Sequence, residues 1–310
     1  MKIQSRLLPV YVLICAILWG TAFPGIKFVY SIWPESQQWD GRMLFAGVRF
    51  MIAGLMILPF ARRDGIINQL KKADLRLLMA LALTQTFAQY VFFYMGLSLS
   101  SGVLGSLMVS TGSFWWILLA PLILKTPKPD TRHWVVLIIC ALGISVAVYK
   151  PGIGSGSPGL GALCFLVASL NGAIGVIILK VLHRTLDSTT ATAFSLFLGG
   201  VVFTVVGASA WPQLNALLEP QVAGMIIYLA FVSAAAFVLW NRLAREFSVN
   251  ILAGYRFLIP LAGIILSSLL IPNEKPGIGI YIGSVLILGS LVFVNFIDRK
   301  TIPSSSGTRP

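Results

Sequence analysis

Charge is what this sequence has least of. Only 11% of its 310 residues are Asp, Glu, Lys or Arg, where a soluble domain carries about a quarter, and 57% are apolar with a mean hydropathy of +0.88. That balance excludes an ordinary soluble fold. Cysteine is scarce: Cys15, Cys140 and Cys164 all fall inside apolar runs with no metal-ligand spacing, so they read as small buried hydrophobes and predict neither a disulfide framework nor a metal site. The two histidines, His133 and His183, stand at the ends of apolar runs. No His-Glu-x-x-His pattern, pair of intramembrane aspartates or Ser–His pair accompanies them, so the sequence offers no catalytic residues and predicts no enzyme, metal or cofactor.

Acids are scarcer than bases, 10 against 23. All ten, Glu35, Asp40, Asp64, Asp74, Asp130, Asp187, Glu219, Glu246, Glu274 and Asp298, lie between the apolar runs or at their ends. Proton- and sodium-driven carriers often rely on a carboxylate within a span; its lack favours a facilitator or exchanger, with Asp40 and Glu274 as acids placed to dip inward. The net charge of +13 raises the question of nucleic acid. The basic residues sit in short loops, however, and form no stripe interleaved with base-stacking aromatics, so no nucleic-acid partner is expected.

What the chain does have is long apolar runs, at about 9–30, 43–61, 75–95, 103–124, 133–149, 159–181, 190–210, 222–241, 250–271 and 277–297. Each approaches the roughly 20 residues that cross a bilayer. Lys2 and Arg6 ahead of the first run imitate a signal peptide, but the run continues through Trp19 and Phe23, and we read it as a retained first helix. Ten spans place both termini on one side. With the N-terminus inside, the inner segments hold Lys2, Arg6, Arg62, Arg63, Lys71, Lys72, Arg76, Lys125, Lys128, Arg132, Lys180, Arg184, Arg242, Arg245, Arg299, Lys300 and Arg309, against Arg42, Lys150 and Lys275 outside. Basic residues resist translocation. The expectation is therefore an all-α, multi-pass protein of the inner (plasma) membrane, ten transmembrane helices with both termini cytoplasmic, and a disordered polar tail over 298–310.

The chain also repeats itself. Ser101, Lys128 and Pro129 are matched by Ser248, Lys275 and Pro276 at a spacing of 147, and Leu142-Gly143 by Leu288-Gly289 at 146. Two sets of five spans, 9–149 and 159–297, must insert in opposite directions because five is odd. The result is an inverted repeat, a common plan of secondary transporters, with a substrate site near the midplane between the halves.

Few polar groups lie inside the spans, and each carries two readings. Lys27, Arg49 and Arg256 either snorkel to the interface or face a water-filled cavity that attracts a carboxylate or phosphate, since no acid near them in sequence neutralises them. Gln85 and Gln89, four residues apart, share a helix face and either bridge helices or line the cavity. Trp19, Phe23, Tyr94, Ser110, Trp115, Asn171, Trp240 and Tyr255 complete an aromatic pocket with a few amides and hydroxyls, suited to a small amphipathic solute; the tryptophans alternatively form an interfacial belt. Pro24, Pro121 and Pro260 are hinges or tolerated kinks. The small-residue pairs Gly279 and Gly283, and Ala141 and Ser145, suit close helix packing within one chain or across a homodimer.

Trp19-Gly20-Thr21-Ala22-Phe23 with Lys27, Arg49-Phe50 with Ala53, and a Leu-Gly near the close of each half together resemble the EamA-like branch of the drug/metabolite transporter superfamily, over residues 9 to 297. The resemblance implies a cavity lined by spans one, three, four, six, eight and nine, peripheral spans five and ten, and efflux of amino acids, nucleosides, drugs or other metabolites. Trp19, Gly20, Phe23, Lys27 and Arg49 are the matching positions. Many relatives carry an acid at the end of spans four and nine; here the first copy reads Lys125-Thr126-Pro127-Lys128, and Glu274 keeps the second. The leading expectation is a secondary carrier of small organic solutes working by alternating access. The alternative is a membrane scaffold or sensor that binds a partner through its basic inner loops.

Overall fold

In the computed structural model, the described residues are 7–61, 69–71, 73–124, 128–153, 156–183, 185–247, 252, 255 and 258–301. They are nearly all helical. The principal helices are α1 (Leu8–Ile32), α2 (Trp39–Phe60), α3 (Leu75–Leu99), α4 (Gly102–Leu124), α5 (Thr131–Tyr149), α6 (Pro158–Leu182), α7 (Ser188–Val206), α8 (Pro220–Glu246), α9 (Leu258–Leu270) and α10 (Ile278–Thr301). Among the described residues, α1 to α8 are long and apolar enough to cross a membrane, while the apolar stretches Leu258–Leu270 and Ile278–Ser290 are shorter. The protein is a multi-pass membrane protein.

Local chemistry starts several of these helices. Asp74, Asp130 and Asp187 accept hydrogen bonds from the first free backbone N–H groups of α3, α5 and α7, which stabilises a helix start by roughly 1 kcal/mol each. Pro158 and Pro220 open α6 and α8 at a position where the missing N–H costs nothing. Two helices are irregular where they cross the middle of the molecule. Ala82–Ala88 of α3 is wound as a π-helix, a form that recurs at functional sites. The helical parts of α4, Gly102–Val109 and Gly112–Leu124, meet at Ser110 and Thr111, whose hydroxyls donate to the carbonyls of Leu107 and Met108 at 2.6 and 2.7 Å. That back-bonding bends helices.

The break in α4 therefore lies at Ser110–Thr111 rather than at Pro121, which sits inside the helix. Pro24 is likewise inside α1, and Pro260 lies in α9, two residues after Leu258. Helix α10 continues through Thr301, so the expected disordered tail begins in helix; 302–310 lie outside the described residues.

The most extensive helix contacts join the first five helices to the last five: α2 with α7, α5 with α10, α4 with α9, α1 with α8 and α9, α3 with α6 and α7, α2 with α8, and α4 with α6. Glycine makes several of them close. A Cβ on Gly283 would lie 2.6 Å from the Gly143 carbonyl oxygen, and one on Gly279 2.5 Å from that of Lys150, so the α10 pair packs against α5 in the same chain. It meets Gly143 and Ala147 of α5, both buried, while the other small-residue pair, Ala141 and Ser145, is exposed. A two-residue ladder, β1 (Gly152–Ile153) with β2 (Lys275–Pro276), ties the neighbouring ends together.

Candidate functional site

A cavity enclosing about 760 Å³ of empty space, mouth included, opens between the helices. From α1 it takes Trp19, Phe23 and Ile26, from α2 Arg49, from α3 Gln85, Gln89, Tyr90 and Phe93, and from α6 Gly172 and Val176. Phe237 and Trp240 of α8, Val109 of α4 and Ile259 of α9 complete the wall. The rings interlock: Trp19 lies edge-on to Phe237 at 5.6 Å and 5.7 Å from Trp240, and Phe93 packs 5.3 Å from Phe23 and 5.4 Å from Tyr90. Such contacts hold a rigid apolar lining.

Arg49 is the cavity's one charged wall residue, and only 1% of it is exposed. It does not snorkel. Its Nη1 donates to the Tyr94 hydroxyl at 2.6 Å, Nη2 to the Ser233 hydroxyl at 2.8 Å and Nε to the Leu229 carbonyl at 3.3 Å, while its guanidinium stands 4.8 Å from the Phe50 ring centre and 5.8 Å from that of Tyr90. Every one of these partners is neutral. Among the described residues no carboxylate pairs with it.

The two glutamines sit on α3 where it meets α6. A Cβ on Gly175 would lie 2.5 Å from Gln85 Cβ, and one on Gly172 2.8 Å from Gln89 Oε1. The absent side chains thus let α3 approach α6 and leave the amides at the cavity wall. Among the described residues no hydrogen bond engages either amide, so they do not bridge helices. The Trp19 Nε1 is also buried without a partner.

Other expected site residues stand elsewhere. Tyr94 is fully buried and reaches the cavity only through Arg49. Ser110 bonds within α4. Trp115 turns towards α6, donating to Leu166 O at 3.1 Å and Ser169 Oγ at 3.0 Å, and lines a separate groove against α5 with Leu137 and Cys140. The Asn171 amide donates to its own helix at Val167 O. Tyr255 packs against a cluster that holds Trp240, Leu243 and Ile259, and Arg256 lies outside the described residues. Tyr90 and Phe93 of α3, Phe237 of α8, and Gly172 and Gly175 of α6 are the additions that sequence reasoning missed; only Phe93 carried a signal, four residues beyond Gln89 on the same face of α3.

Lys27 corrects the expectation that no acid neutralises the intramembrane cations. Its Nζ lies 3.4 Å from Glu274 Oε1 and donates to Ser100 O at 2.9 Å. Glu274, 5% exposed, accepts through Oε2 from the backbone N–H of Gly102 at 2.8 Å and of Val103 at 3.4 Å. Ser101 takes Leu104 N–H, so the first turn of α4 is satisfied by an acid from the α9–α10 loop. Burial outweighs these favourable contacts and pushes the Glu274 carboxyl above its ordinary 4.5. No group of three or more potential metal ligands occurs among the described residues.

The sequence profile of the EamA-like transporter family matches residues 7–149 and 159–296. The chain belongs to that family. This EamA-like protein is 23% identical over 309 residues, 96% of its own length and 97% of the other's, to a protein of Escherichia coli K12 named a probable amino-acid metabolite efflux pump. It is 24% identical to the uncharacterized transporter YvbV of Bacillus subtilis strain 168, covering 90% and 88% of the two chains. The uncharacterized inner membrane transporter YedA of E. coli K12 is 27% identical over 85% and 83%. A solved crystal structure aligns with a TM-score of 0.58 at 16% identity, covering 96% of this chain and all of the other, which supports the shared fold. An EamA-like protein is a transporter.

Proposed function

We propose that this EamA-like protein is a secondary carrier that moves small organic metabolites, amino acids or related amphipathic solutes among them, outward across the cell's inner membrane. In this reading ten helices form two inverted five-helix halves, residues 9–149 and 159–297, with both termini cytoplasmic, and the cavity is exposed to each side in turn. The observation that carries it is the position of the cavity. Its wall draws on α1, α2, α3 and α4 from one half and α6, α8 and α9 from the other, so any rocking of one half against the other reshapes it.

The pattern of helix contacts supports the inverted repeat. Exchanging each helix for the one five places away turns α1–α9 into α6–α4, α1–α8 into α6–α3 and α2–α8 into α7–α3, and returns α2–α7, α4–α9 and α5–α10 to themselves. The charge bias of the loops supports the orientation. The name of the E. coli relative, an amino-acid metabolite efflux pump, supports the solute class and direction. The test is counterflow: proteoliposomes preloaded with single amino acids or nucleosides should accumulate the labelled solute with saturable kinetics. Absence of protein-dependent, saturable flux for the whole panel would sink the proposal.

A further inference from the structure

We infer that the cavity selects by charge: it admits solutes that carry a carboxylate on an apolar body, and Arg49 is the residue that sets this preference. The inference rests on the carrier reading above and names its substrate class more narrowly. Arginine stays protonated in proteins. Here its full charge is held in a wall from which water is nearly excluded, and its partners, a phenol, a hydroxyl and a carbonyl, disperse that charge without cancelling it. An ion pair elsewhere in the protein shows the contrast: Lys27 has Glu274.

The remaining polar inventory points the same way. Trp19 Nε1 is a buried donor with no acceptor, and the Gln85 and Gln89 amides each have two N–H groups to offer. Each amide also carries an accepting oxygen, so the donor surplus comes from Trp19 Nε1 and the uncommitted N–H groups of Arg49, which suit an oxygen-rich head group. The aromatic wall competes, because ring faces attract cations. Arg49 already stands over one of those faces, that of Tyr90, and over the buried Phe50 outside the wall, and its own field opposes a second cation. A unit charge several ångströms away, at the effective dielectric of a protein interior, shifts binding by about tenfold or more. The rings then hold the apolar body of the solute by size and shape.

Three probes share one ring and differ in charge: phenylacetate, phenylacetamide and 2-phenylethylammonium. Calorimetric titration of the purified full chain should find phenylacetate bound at least about tenfold more tightly than the amide, with the ammonium weakest. Arg49→Gln should level the three. Arg49→Lys, which keeps the charge, and Tyr94→Phe, which frees one guanidinium N–H, should both keep the order. A merely structural Arg49 would weaken all three probes together in Arg49→Gln without changing their ranking. The inference is overturned if wild type binds the ammonium as tightly as the carboxylate, if phenylacetate does not bind, or if Arg49→Gln preserves the ranking. Flux of any panel solute in proteoliposomes would keep the carrier reading standing after such a failure.

Discussion

Three neutral groups share the Arg49 guanidinium, and the two hydroxyls among them can be removed singly. Tyr94→Phe leaves one buried N–H without its acceptor and should lower stability by about 1–2 kcal/mol, read as a lower midpoint of thermal unfolding in detergent; an unchanged midpoint would show that the 2.6 Å contact contributes nothing. The glycines of α6 make a sharper pair. Gly175→Ala sets a methyl 2.5 Å from Gln85 Cβ and should cost roughly 1–3 kcal/mol through a forced helix shift. Gly172→Ala meets only the end of the Gln89 side chain, which can swing aside, so it should unfold near wild type while altering solute affinity. Equal destabilisation by the two would contradict this account. Glycine is also where the sequence was least legible. Gly224 has nothing within 4 Å and Gly175 has a helix against it, yet both are single glycines in apolar runs. Polar and aromatic residues stood out as exceptions to an apolar background, which is why Trp19, Phe23, Gln85, Gln89 and Trp240 could be named. Asn171 and Trp115 stood out equally, but one turns back onto its own helix and the other hydrogen-bonds to α6 away from the cavity, and helix rotation is not written in composition.

Among the elements, the contact of Lys27, Glu274 and the start of α4 ties three chain segments together. Glu274→Gln keeps an acceptor for Gly102 and Val103 but removes the charge. Because burial raises the Glu274 carboxyl above 4.5, the folded protein holds this proton more tightly than the unfolded chain, and stability from this group falls as pH rises through the raised value. Wild type should therefore lose stability relative to Glu274→Gln as pH is increased from about 4.5. A difference that grows in the opposite sense would mean that the Lys27 pairing outweighs the cost of burial. The spans themselves were readable because crossing a bilayer requires about 20 apolar residues. The π-wound segment of α3 was not: Ala82 to Ala88 has the composition of any helix, and what sets it apart is visible only in the fold, where it packs against α6 and α7.

For the molecule as a whole, orientation is the property most open to a direct check. A cysteine at Ala208, exposed in the 3-10 segment Ala208–Leu218 between α7 and α8, should react with a membrane-impermeant maleimide added to intact cells. One at the exposed Arg132 should react only after permeabilisation, and the reverse pattern would invert the assignment. The pairing of the two halves was legible only as a faint repeat, since the contacts that create it depend on residues that are small rather than on residues that are alike. The α2–α7 seam shows what that implies. Methyl groups added at Gly47, Gly54, Gly200 and Gly207 would stand 2.6 to 2.7 Å from backbone atoms of Thr204, Ala193 and Phe197, Met51 and Leu44 respectively. Seven residues, about two helical turns, separate the glycines on each helix. A slip by one residue would drive a side chain into main chain at every tooth of this zip, while a small rotation about it would not. In the carrier reading proposed above, the seam is a keyed axle about which the halves turn without sliding.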